Sequence, residues 1–103
     1  MMNTYDEMRA KMIKQTRREI LTTLALQFSG QTMSFETVCA GLEHLELPDK
    51  QPVMNDLTYL CERGYVRWTN EKAMLPWKAR MYKLTAKGKD YCDRILSDPL
   101  LEP

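Results

Sequence analysis

Apolar residues recur along the first part of the chain at Tyr5, Met8, Met12 and Ile13, then at Ile20, Leu21, Leu24 and Phe28, with neither Gly nor Pro before Gly30. Such spacing puts side chains on one face of a helix, so a single long helix is predicted from Asn3 to Phe28. Its second half reaches the density of a core-facing stripe and its first half is sparser. The chain therefore divides into an N-terminal helical extension over 1–16, a domain over 17–97 and a tail over 98–103.

After Ser29, Gly30 and Gln31 the pattern changes. Thr32, Met33 and Ser34 read as a short extended piece, and Ser34 suits the N-cap of a helix from Phe35 to about His44, with Phe35, Val38, Cys39 and Leu42 on one face. Leu47, Pro48 and Asp49 form a turn in which the Asp49 carboxylate can cap the next helix. Pro52 falls in that helix's first turn, where a missing N–H does no harm. Val53, Leu57, Leu60 and Cys61 then recur at i, i+4, i+7 and i+8 until Gly64 stops the helix. Tyr65 to Thr69 and Met81 to Leu84 are β-formers flanking Asn70 to Ala79, a hairpin with a long loop. Thr85 can cap a final helix from Ala86 to about Ser97, with Tyr91, Cys92, Ile95 and Leu96 as its apolar face and Pro99 as its end. The predicted fold is α+β and mostly helical: a helix-turn-helix, a β-hairpin wing, an N-terminal helical extension and a C-terminal helix.

At 103 residues the chain has room for one core, and 44% hydrophobic with 28% charged residues is an ordinary globular balance. It carries no long apolar run and no signal-like start, so a cytoplasmic protein outside the membrane is expected. Fifteen basic against fourteen acidic residues leave a net charge of +1. Attraction to nucleic acid must then come from uneven placement of charge. The three cysteines, Cys39, Cys61 and Cys92, are far apart among apolar neighbours, which suits reduced, buried thiols. With no CxxC or HxxxH pair to join Cys39 and His44, no metal and no cofactor are expected. No catalytic constellation or Gly-rich phosphate loop is apparent, so no enzymatic activity is expected.

The sequence VMNDLTYLCERGYV, then a hairpin, then YKLTAKGKDY, resembles the winged helix-turn-helix transcriptional regulators of the ArsR, MarR and PadR type, over about Ile20 to Leu96. Gly64, Tyr65 and Val66 match their glycine-aromatic-valine approach to the wing, and Leu84, Thr85 and Gly88 their Leu-Thr-x-x-Gly exit. The resemblance implies a sequence-specific DNA-binding regulator acting as a homodimer, of a kind common as small prophage proteins, with the second helix in the major groove and the wing on the backbone. The Cys-x-Cys box of the ArsR metal sensors is missing from Met33 to Thr37, so metal sensing is not implied.

With Val53 and Leu57 inward, 100° per residue turns Gln51, Asn55, Thr58, Tyr59 and Glu62 outward. Gln51 and Asn55 can read adenine edges, Thr58 can touch a thymine methyl, and Lys50 can meet a phosphate or a guanine. Glu62 and Asp56 are expected to oppose phosphate approach. Arg67, Lys72, Lys78 and Arg80 give the wing a basic footprint. Lys11, Lys14, Arg17 and Arg18 are either a solvated face or phosphate contacts. Tyr5, Met8 and Met12, with Tyr91, Ile95 and Leu96, are the dimerisation candidates. Met74, Leu75 and Trp77, around Pro76, either fold back on the domain or hold a protein partner. The alternative function is accordingly a winged-helix protein-protein adaptor without DNA binding.

Overall fold

The computed structural model describes residues 4–27, 31–69 and 80–102. Its described elements are α1 (Thr4–Gln27), β1 (Met33–Ser34), α2 (Phe35–Ala40), a 3₁₀ turn (Glu43–Leu45), α3 (Gln51–Glu62), β2 (Val66–Thr69), β3 (Met81–Leu84) and α4 (Ala86–Cys92). They form an α+β arrangement of four helices on a three-stranded antiparallel sheet of order β1–β3–β2.

Local chemistry sets most of the boundaries. The Ser34 hydroxyl accepts from Thr37 N at 3.2 Å to open α2, and the Thr85 hydroxyl accepts from Gly88 N at 3.1 Å to open α4. Asp49 Oδ1 accepts from Gln51 N at 3.1 Å at the start of α3. Gly64, at φ +83°, lets Tyr65 N reach back to Leu60 O at 3.0 Å and close the end of α3. Met33 lies opposite Tyr82, and Trp68 faces Tyr82 from the other side, so the short β1 extends the hairpin into a sheet.

The core is built from Ile20, Leu21 and Leu24 of α1, Phe35 and Val38 of α2, Val53, Leu57 and Leu60 of α3, and Tyr65, Val66 and Tyr82 of the hairpin. Each such side chain stabilises by roughly 1.5–3 kcal/mol before chain entropy is counted. Three expectations need correction. The helix expected to reach His44 stops at Ala40 and yields to the 3₁₀ turn. The helix expected to reach Ser97 stops at Cys92, because Arg94 turns left-handed at φ +61° and lets Ile95 N and Leu96 N both bond back to Asp90 O. The segment 98–103 is not a loose tail over its described part. Leu101 is wholly buried, Arg18 donates to its carbonyl, and Asp98 accepts from Tyr65 Oη, from Arg63 Nη2 at 3.0 Å and from Leu100 N at 2.9 Å.

Cys39, Cys61 and Cys92 are unpaired and half-buried, and burial pushes all three thiols up from their ordinary pKa. Burial, followed by the bond to Asp98, pushes the Tyr65 phenol up to about 12 from 10.0. Between these values the unfolded chain loses a proton that the folded chain retains, so stability falls as pH rises through that window. A Tyr65→Phe variant should lack this alkaline loss. Urea titrations at pH 8 and pH 11 would show it, and equal alkaline loss in both proteins would contradict the burial of this phenol.

Candidate nucleic-acid interface

One turn of helix after another, α3 brings Gln51, Asn55 and Thr58 to the same exposed face. Gln51 Nε2 donates to Asn55 Oδ1 at 3.0 Å, which leaves the Gln51 oxygen and the Asn55 amide group to face outward together. Thr58 Oγ1 is held by Met54 O at 3.0 Å with its methyl group outside that bond. Lys50, at the start of the helix, reaches Glu36 at 3.2 Å, but both side chains are exposed and such a pair is easily exchanged for another anion.

Asp56 departs from the expected picture. It does not project toward a phosphate: it is buried, with Oδ1 accepting from Arg17 Nε at 3.0 Å. Burial raises its carboxyl pKa, and the Arg17 bond opposes that rise. The same guanidinium lies 3.6 Å from the centre of the Tyr59 ring, so Tyr59 is half-covered and its ring is committed to α1. Arg17 is therefore a clamp between α1 and α3, and Arg18 a tie to the C-terminal segment, whereas Lys11 is exposed and Lys14 half-exposed. With Asp56 turned in, the exposed carboxylate left on α3 is Glu62.

The base of the hairpin stands against α3, where Tyr82 Oη donates to Met54 Sδ at 3.6 Å. Arg67 is exposed on β2, and Arg80 stacks 4.1 Å from the centre of the Trp68 ring. Trp68 was not expected in the site. Its position in the alternation of β2, in register with Tyr82, was the available signal. Lys72 and Lys78 lie outside the described residues, as do Met74, Leu75 and Trp77.

The other candidates separate into two groups. Tyr5, Met8 and Met12 are exposed along α1, and Ile95 is exposed beyond α4. Tyr91 and Leu96 instead pack on this chain's own core, with Tyr91 edge-on to Tyr65 at 5.8 Å. Among the described residues no group of His, Cys, Asp and Glu could hold a metal ion, and no helix is long and apolar enough to cross a membrane. No family model, curated protein or solved structure matches this chain.

Proposed function

We propose that this protein is a winged helix-turn-helix regulator that binds duplex DNA as a homodimer, with α3 in the major groove and the hairpin on the flanking backbone. The supporting observation is the exposed face of α3, a line of Gln51, Asn55 and Thr58 that carries one acid, Glu62, at its far end, the other acid of the helix, Asp56, being folded away onto Arg17. Amide side chains suit bidentate reading of adenine, and the threonine methyl suits thymine, so the preferred half-site is rich in A·T pairs. Arg67 and Arg80 supply contacts that carry affinity without sequence information. The near-neutral total charge makes that affinity modest, with a salt dependence set by the few phosphates that these cations meet.

Selection from a random duplex pool at two salt concentrations tests this reading. An A·T-rich site should be enriched, and its affinity should weaken as salt rises. Asn55→Ala should lose on the order of 1–3 kcal/mol on that site and much less on random duplex. Failure to bind any duplex at low salt would reject the regulator and leave the protein-binding adaptor.

A further inference from the structure

A groove of about 1020 Å³ runs between α1 and α4, floored by Ala25, Leu26, Leu84, Tyr91, Cys92 and Leu96 and open to solvent along one side. Lys89 and Arg94 stand on its rim, and neither pairs with a carboxylate among the described residues. At the other end of α1 no residue from Thr4 to Met12 is buried. Tyr5, Met8 and Met12 there are 69%, 59% and 58% exposed, and Leu26 on the groove is 77% exposed.

Met8 of the stripe and Leu26 of the groove leave α1 on one side of it. Met8 and Leu26 are eighteen residues apart. At about 3.6 residues per turn that is about five whole turns, so both side chains leave the axis in the same direction, about 27 Å apart along it. A second helix laid antiparallel on this side would therefore set its own stripe over the groove while its groove received the first stripe. We infer that the groove is the seat of the N-terminal half of α1 from a second copy of this chain, the two α1 helices crossing antiparallel about a twofold axis near their middles.

Three observations fit that occupant. Tyr5, Met8 and Met12 stand at i, i+3 and i+7, the anchor spacing of a helix lying in an apolar groove, and methionine adapts to an irregular floor. Glu7, in the acidic first turn of α1, is exposed and opposite in charge to the rim cations Lys89 and Arg94. The groove also lies at the upper limit of the roughly 300–1,000 Å³ usual for small molecules and is too open to bury most of one. One twofold operation covers both stripes and fills both grooves, as a closed isologous pair requires. The interface gives the homodimer of the proposed regulator its structure and rests on that reading, but its test measures mass and needs no DNA.

Light scattering across a dilution series of the full chain should report a dimer, twice the 12.1 kDa of one chain. Met8→Asp and Leu26→Asp, both at exposed positions, should each keep the wild-type circular dichroism and raise the dimer dissociation constant by roughly tenfold or more. Glu7→Lys and Lys89→Glu should each weaken the dimer, and the two together should restore it. A monomer at tens of micromolar would overturn the inference. So would a dimer indifferent to both aspartates, or a double charge reversal no better than the single ones.

Discussion

Gly88→Ala should destabilise the fold by about 3 kcal/mol, and in the direction opposite to helix propensity. Alanine in place of glycine ordinarily favours a helix by up to about 1 kcal/mol. At Gly88, however, an added methyl would overlap the Tyr65 carbonyl oxygen and lie 2.7 Å from Leu84 Cδ1, inside the 3.0 Å at which something must shift. Leu84 can rotate, but the Tyr65 carbonyl cannot yield cheaply, since it accepts from Thr85 N at 3.0 Å and fixes the strand to the start of α4. The helix must then back away from the sheet and loosen the Thr85 cap. A lower urea midpoint with an unchanged slope is the expected result. A midpoint at or above wild type would mean that α4 does not sit this close to the hairpin.

Asp98→Ala should cost a similar amount, about 3 kcal/mol, for a different reason. The carboxylate is buried and holds three donors, Tyr65 Oη, Arg63 Nη2 and Leu100 N, two of them far from it in sequence. Without it the Tyr65 hydroxyl is left in a buried site with no acceptor, and Leu101 loses the turn that delivers it to the core. For a chain of this length the loss corresponds to a fall in melting temperature of roughly 12–20 °C. Burial acts to raise the Asp98 pKa, but the bonds from Tyr65, Leu100 and Arg63 outweigh it and hold the carboxyl below its ordinary value. This stabilisation is therefore present above the unfolded pKa and disappears as pH falls through the folded one. Asp56, whose pKa is raised, contributes in the opposite sense. Acid sensitivity measured by calorimetry from pH 6 to pH 3 should decrease in Asp98→Ala; an unchanged acid limb would show that this carboxylate does not govern it.

The elements legible from the sequence were those announced by their own residues. Ser34 and Thr85 have caps to offer, Asp49 lies one turn ahead of a hydrophobic stripe, and Gly64 can take a left-handed turn. The end of α4 had no such mark. Arg94 occupies a position where glycine is the usual signal, and Ile95 and Leu96 keep helical phase, so the sequence reads as helix after the backbone has turned away. Asp56 was legible in principle: with Val53, Leu57 and Leu60 it completes an i, i+3, i+4, i+7 stripe, and a charge on such a stripe requires a partner. That the partner is Arg17, 39 residues away, is a tertiary fact. The packing of Leu101 has no periodicity to betray it, because two leucines after a proline look the same in a tail as in a strap, and nothing local says that Leu101 and not Leu100 is buried. On α3 the face of the candidate interface was legible from the 100° rule, whereas the stacking of Arg80 on Trp68 depends on strand register and was not.

The bond from Arg18 to the Leu101 carbonyl spans 83 residues and bears on how the protein is made. At about 5–20 residues per second, a ribosome needs roughly 4–17 seconds to travel from one partner to the other. During that interval Ile20, Leu21 and Leu24 are made ahead of the helices and hairpin that cover them in the folded chain. Among the described elements, α1 is thus made before everything that covers it, and its bond to Leu101 becomes available only after α4 has been made.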